Sequence, residues 1–227
     1  AQPLVQALNH LLARLATTLE NERRFTADAA HELRTPLAAV RIQAQVALAS
    51  PDGEIHKHAL QQVLAGVDRA TRLVEQLLRL ARLDPLARLP DPDVLDLVAL
   101  ARATVAALQE AGVPERSIRL DVPDTAVTVA GDQDLLVAAL RNLVDNAVRY
   151  TPPGSRITVF AQLAHGEPLL GVMDDGPGVP ADELPKLIER FYRGRDNTVE
   201  GCGLGLAIVR RIAELHDARL EVDNCPE

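Results

Sequence analysis

A histidine and a glutamate stand side by side in "AHELRTPLAAV", the stretch Ala30 to Val40. A carboxylate next to an imidazole can take the proton from one ring nitrogen and leave the other nucleophilic. The apolar spacing through Leu33, Leu37 and Val40 predicts a helix. At about 100° per residue, His31 points about 200° away from Leu33, out of the apolar seam. Arg34 and Thr35 share that outward face. Pro36 sits inside the helical pattern, where proline costs about 3 kcal/mol and kinks the chain. It is expected to bend the helix beside a reactive histidine. A zinc-protease HExxH motif is excluded, because it needs a second histidine where this chain has Thr35. His56 and His58 do not share a helix face and read as solvated.

A second constellation lies in "LRNLVDNAVRYTPPG". Leu136, Leu140, Leu143 and Ala147 form a buried stripe, while Asn142 and Asn146 lie one turn apart on another side that Arg149 and Tyr150 continue. Two neutral oxygen donors above an arginine suit a hard cation such as Mg²⁺, which takes one or two protein oxygens plus phosphate and water. "VMDDGPGVP" then ends a strand with Asp174, a carboxylate able to accept from an amine, and follows it with Gly176 and Gly178, which permit tight turns. "EGCGLGLAIVRRIAELH" places Gly201, Gly203 and Gly205 at a helix start, where free N–H groups and the dipole favour phosphate. The glycines follow a polar loop rather than a strand, so this is no Rossmann fingerprint, and there is no P-loop. Taken singly, each glycine cluster also fits ordinary turn chemistry.

These residues need elements to position them. Leu4, Leu8, Leu11, Leu15 and Leu19 begin a heptad-like pattern that resumes from Leu33 to Ala47. "SPDGE", from Ser50 to Glu54, reads as a turn, and a second helix follows through Leu60, Val63, Val67, Ala70, Val74, Leu77 and Ala81. The two form an αα-hairpin that cannot bury its seam alone, and pairing with a second copy into a four-helix bundle is the simplest remedy. "LDPLARLPDPD", with three prolines, reads as a linker. Beyond it the expected order is a helix from Asp96 to Ala111, the strands "SIRLDV" and "AVTVAG", and a helix from Asp132 to about Tyr150. The strands "RITVFAQL" and "LLGVMD", a helix from Leu204 to His216 and a last strand "RLEVDN" follow. This is an α/β layer with helices on one face of a mixed sheet.

Composition agrees with this reading. The 227 residues allow one or two domains. With 2% aromatic residues and no Trp, the core must be Leu, Val, Ile and Ala. A net charge of −8 argues against a nucleic-acid surface. Cys202 and Cys225 have no zinc or disulfide spacing, which fits a reducing cytosol. No run is long and apolar enough for a membrane span. The start at Ala1, already in a helical pattern, reads as a piece of a longer chain.

The ordered motifs resemble one family: the cytoplasmic catalytic core of bacterial two-component sensor histidine kinases, of the QseC/PmrB kind. "FTADAAHELRTPL" resembles the H box, "RNLVDNAVRYT" the N box, "DDGPGVP" the G1 box, "ERFYRG" the F box and "GCGLGLAIV" the G2 box. The resemblance implies a helical lead-in over residues 1–24, a dimerisation and histidine phosphotransfer hairpin over 25–83, a linker over 84–95, and an ATP-binding α/β sandwich of the Bergerat (GHKL) fold over 96–227. It implies that His31 is the phosphoacceptor, Glu32 its proton acceptor and Thr35 the residue that positions water in a reverse phosphatase reaction. Asn146, helped by Asn142, would hold Mg²⁺; Arg149 would contact phosphate and Tyr150 the nucleotide. Asp174 would accept from the adenine amine in a pocket shaped by Gly176 and Gly178. Phe191 and Arg193 would gate a lid, and Gly201, Gly203, Leu204 and Gly205 would line the triphosphate of ATP. Implied partners are a second copy through the hairpin and the receiver domain of a response regulator, in the cytoplasmic portion of an inner-membrane sensor. Neither nucleic acid nor direct membrane contact is expected for this part.

Two departures from the family pattern stand out: Cys202 replaces a small Ser, Thr or Ala, and the sequence given stops at Glu227, where the family adds another strand. A nucleotide clamp of the gyrase or chaperone kind would share the asparagine and glycine boxes but would have no use for His31 on an exposed helix. A degenerate dimeric scaffold would have no use for Asn146, Asp174 and the glycines.

Overall fold

The structure, a computed structural model, describes residues 2–84, 86, 88, 89, 91–111, 118–194 and 201–224. The chain divides into two compact units, Ala1–Leu77 and Leu78–Glu227.

The first unit is a helical hairpin. Helix α1 spans Gln2–Ala49 and continues through Pro36, and α2 spans Gly53–Leu83. The joint is set by local polar groups. Asp52 caps α2, its Oδ1 accepting from the N–H of Glu54 at 2.8 Å and of Ile55 at 3.3 Å, which satisfies first-turn donors. Ser50 Oγ accepts from the Asp52 N–H at 3.2 Å. His56, expected to be solvated, instead has Nδ1 2.9 Å from the carbonyl of Ala47. A carbonyl only accepts, so Nδ1 is the donor, and it serves one of the last orphan carbonyls of α1. The helices approach closely at Gly66, where a Cβ would collide with a methyl of Val40. Ala47, Ala59 and Leu73 are buried, but Leu37 (56% exposed), Leu60, Leu64 (66%), Val67 and Val74 are not.

The second unit has a mixed sheet in the order β2-β4-β5, from Ile118–Asp121, Ile157–Ala164 and Glu167–Asp174. β2 runs parallel to β4, and β4 and β5 form an antiparallel hairpin. That hairpin closes on His165 and Gly166, both with positive φ, as a two-residue turn matched to strand twist requires. Strands β1 (Asp93–Asp96) and β3 (Thr128–Gly131) form a separate antiparallel ribbon, so residues 93–95 lie in a strand rather than in a structureless linker. Helices α3 (Leu97–Glu110) and α4 (Gln133–Tyr150) have the expected caps at Asp96 and Asp132, and α5 spans Gly205–Leu215. Alternation along β4 turns Ile157, Val159 and Ala161 inward. Val159 and Ala161 join a core with Leu97, Ala101 and Val105 of α3 and Leu140 and Val144 of α4.

The expected last strand "RLEVDN" is not one, because residues 218–224 have no regular secondary structure. A strand needs a neighbour's backbone to pair with, and here Asn224 uses its side chain instead, bonding the backbone of Val179.

At the start of the second unit, the end of α2 is clasped by arginines. Arg211 of α5 donates to the carbonyls of Leu83 (3.3 Å), Asp84 (3.3 Å) and Leu86. Arg190 donates to both carboxylate oxygens of Asp84, at 2.7 and 2.9 Å. A guanidinium thus satisfies carbonyls that the helix leaves orphaned at its C-terminus.

Candidate functional site

The site is built on α4 and α5, which run antiparallel and are registered at one end by His216. Its Nδ1 donates to the carbonyl of Ile212 at 2.8 Å, so its Nε2 is the acceptor that takes the N–H of Asp132 at 3.0 Å. Asp132 in turn caps α4, accepting from Leu135 N–H at 3.0 Å. Gly131 leaves room for the ring: a Cβ there would sit 2.8 Å from His216 Cδ2. The C-terminal end of α5 is thereby fixed against the N-terminal end of α4. That arrangement sets the other ends, which carry the asparagines and glycines, beside each other.

Asn142 donates Nδ2 to the carbonyl of Ala138, one turn back, at 2.8 Å. The bond fixes the amide orientation and turns Oδ1 outward. A Cβ built on Gly205, the first residue of α5, would lie 3.5 Å from Asn142 Oδ1 and 3.3 Å from Asn146 Oδ1. Two amide oxygens thus converge on a helix start whose N-cap residue, Leu204, supplies no side-chain cap. The first N–H groups of α5 have no intrahelical acceptor, and a helix start of this kind favours an anion. One turn further along α4, a Cβ on Gly201 would meet the Tyr150 hydroxyl at 3.6 Å and Arg149 Nη1 at 3.8 Å. Donors suited to an anion and oxygens suited to a hard cation thus lie beside the same glycine-rich segment.

Leu204 contributes differently from what its place among the expected ligands suggests. Its side chain is fully buried, so it anchors the loop from below and offers a ligand only its backbone. Gly203 (φ +65°) is needed on two counts, since a Cβ would also lie 2.6 Å from the carbonyl oxygen of Tyr192. The Phe191 N–H donates to the Gly203 carbonyl at 2.9 Å, and Phe191 itself has φ 62°. Phe191 and Gly203 are therefore joined by backbone, with Arg193 half-buried nearby in sequence. The stretch 195–200, where a lid is expected, lies outside the described residues. Cys202 is half-buried and in no disulfide.

Beyond α4, Thr151 donates Oγ1 to the carbonyl of Ala147 at 2.6 Å. Its methyl would stand 3.1 Å from a Cβ on Gly176. Asp174, at the end of β5, accepts from the Gly176 N–H at 2.9 Å through Oδ1. A carboxylate has a second oxygen that can accept as well. Gly178 has φ +70°.

His31 and Thr35 belong to the first unit and are exposed on α1, as is Arg34, while Glu32 is half-buried. Sequence reasoning missed His216, Arg211, Arg190 and Asn224, each of which bonds a group remote in the chain. Among the described residues, no group of three or more His, Cys, Asp or Glu could hold a metal ion, and no helix is long and apolar enough to cross a membrane.

Two protein-family models match this chain, one over the hairpin and one over the α/β unit. Residues 21–86 match the His Kinase A (phospho-acceptor) domain, and residues 131–227 match the histidine kinase-, DNA gyrase B-, and HSP90-like ATPase domain. The chain belongs to the bacterial sensor histidine kinases, of the QseC and PmrB type. It is 43% identical over 228 residues to the sensor protein QseC of Escherichia coli (strain K12), covering 100% of this chain and 50% of that protein. To the sensor protein kinase PmrB of Pseudomonas aeruginosa it is 44% identical over 214 residues, 94% of this chain and 45% of that protein. The chain therefore spans about half the length of the curated relatives it matches. Among solved structures, full-length ShkA in complex with AMPPNP aligns with a TM-score of 0.56 and 27% identity, over 85% of this chain and 41% of that one. The expected fold, a phosphoacceptor-type hairpin followed by a GHKL-type ATP-binding domain, is thus the fold of this chain.

Proposed function

We propose that this chain is the catalytic core of a sensor kinase that phosphorylates its own His31 from ATP and passes the phosphoryl group to an aspartate of a response-regulator receiver domain. The observation that carries this is the convergence of Asn142 and Asn146 oxygens on the uncapped start of α5, in a chain that also exposes His31 on a separate unit. The complex of ShkA with an ATP analogue supports nucleotide as the ligand.

Asp174 accepts the adenine amine on its second oxygen, and Gly176 and Gly178 let the rim close round the base. The N–H groups at the start of α5 bind phosphate oxygens, Arg149 adds a positive charge, and Tyr150 flanks the nucleotide. Asn146 and Asn142 are the oxygens that would hold Mg²⁺. Bound there, it would neutralise phosphate charge during phosphoryl transfer. His31 attacks the γ-phosphorus in line: a nitrogen–phosphorus bond forms, the bond to the ADP oxygen breaks, and Glu32 takes the ring proton. Thr35, one turn beyond His31 on the exposed face, orients water for the reverse dephosphorylation of the receiver.

The apolar residues left exposed on the hairpin, Leu37, Leu60, Leu64 and Val67 among them, are covered by a second copy in a four-helix bundle. The core lies on the cytoplasmic side of an inner-membrane sensor. Incubation with γ-labelled ATP, then with candidate receiver domains, tests the relay. Label should appear on this chain, stable to base and labile to acid, and then move to a receiver. ATP hydrolysis with no label retained would refute the relay and favour a simple ATPase.

A further inference from the structure

We infer that Asn224 is a positioning residue for the nucleotide base, holding the Asp174–Gly178 rim in shape through a two-point bond to Val179; this rests on the proposed reading of that rim as the adenine pocket. The Asn224 carboxamide meets both backbone groups of one residue. Oδ1 accepts from the Val179 N–H at 2.8 Å, and Nδ2 donates to the Val179 carbonyl at 2.7 Å. The chemistry fixes the orientation of the amide, because Val179 offers one donor and one acceptor and neither can swap roles. These are the two bonds that an opposite residue makes in an antiparallel pair, supplied here by a side chain from 45 residues away.

The sequence around Val179 makes it receptive. Pro180 follows it, and a residue before proline is driven to extended backbone, which turns its N–H and carbonyl to the same side. Gly178 precedes it with φ +70°, and a Cβ there would stand 3.1 Å from Asn224 Oδ1. Gly178 therefore serves two ends, the left-handed backbone and the approach of Asn224. The other end of the rim is tied by Asp174 to the Gly176 N–H. With both ends tied, the remaining oxygen of Asp174 has a fixed relation to the backbone beside it. Without Asn224, the Gly178 end has only its own backbone preferences, and two glycines in three residues hold no shape by themselves.

The role predicts a specific pattern of loss. In the full 227-residue chain, Asn224→Leu removes both bonds, and Asn224→Asp keeps the acceptor but sets a carboxylate oxygen against the Val179 carbonyl. Both should weaken ATP binding about tenfold, the loss of roughly one to two hydrogen bonds. Inorganic triphosphate, which meets only the α5 cradle, should bind as before. The preference for ATP over inosine triphosphate, which lacks the amine, should shrink, and autophosphorylation should show a raised KM with kcat retained. Equal loss for all three ligands, together with a lowered melting temperature, would make Asn224 merely structural. Unchanged ATP affinity would overturn the proposal directly. Asp174→Asn, run beside these, reports on the base pocket itself: if that variant keeps the preference for ATP, the adenine reading fails and takes this inference with it. Amide exchange in the unaltered protein gives a further check. Val179 N–H should be protected before nucleotide is added, and rapid exchange there would contradict the bond.

Discussion

Gly205→Ala separates the site from the fold, because the two effects of one methyl group have opposite signs. The new Cβ would stand 3.3 Å from Asn146 Oδ1 and 3.5 Å from both Asn142 Oδ1 and Asn146 Nδ2. Such contacts ask the Asn146 amide to yield only slightly, so the fold accommodates them. Alanine is also the better helix former by up to about 1 kcal/mol, which at the first position of α5 leaves the melting temperature unchanged or a few degrees higher. The ligand space suffers instead. The methyl fills the gap between two amide oxygens and the helix N-terminus, where the proposed function puts a cation and a phosphate oxygen. If each displaced amide oxygen costs about a factor of ten, ATP affinity falls about a hundredfold, or roughly 2.8 kcal/mol. Calorimetric titration with Mg-ATP, paired with a thermal melt, reads both quantities. ATP affinity within twofold of the unaltered chain would rule out a ligand beside Gly205, and so would affinity and melting temperature falling together.

Two further expectations concern the second unit. Arg211→Leu strips a charged donor from the carbonyls of Leu83, Asp84 and Leu86, and should destabilise the unit by roughly 1.5–3 kcal/mol in denaturant unfolding; a change under 0.5 kcal/mol or so would show water replacing it without loss. Glu214 has a pKa below its ordinary value of 4.5: burial pushes it up, but hydrogen bonds and charge from Arg210 and Arg211 together outweigh that. A depressed carboxylate pKa adds stability above the unfolded pKa that is lost as pH falls through the folded one. Glu214→Gln should therefore cost no more than about 0.5 kcal/mol near neutrality, since the pair is partly exposed. The gap between variant and unaltered protein should close below the ordinary carboxylate range. A gap that widens with acid in thermal melts would reverse the sign.

The helices of the site were legible because their signals are local. Asp132 caps α4 within its own first turn, and Leu140 and Ala147 are buried where the apolar stripe placed them. Glycines at 203 and 205 could be singled out because their spacing marks a helix start. Other features depend on partners that no local pattern reveals. Strand β1 is four residues long, sits just after Pro90 and Pro92, and leaves Val94 82% exposed, so it shows no clear alternation. "RLEVDN" does alternate, yet alternation describes only which way side chains can face and not whether an edge is available to pair. His56 reads as solvated until the hairpin brings the carbonyl of Ala47 beside it. His216, Arg211 and Asn224 act across 84, 125 to 128 and 45 residues, beyond any window of sequence reading. The local signals, caps and glycine spacing among them, were therefore readable, while the residues that hold the elements in register were not.

In the proposed relay, ATP on α4 and α5 phosphorylates His31. The most direct measurement of that step is base-stable, acid-labile label from γ-labelled ATP on the unaltered chain and on His31→Ala, with ATP affinity measured on the same samples. His31→Ala should lose all label and keep ATP affinity within twofold. Label persisting on the variant, or ATP affinity lost with the histidine, would contradict the relay.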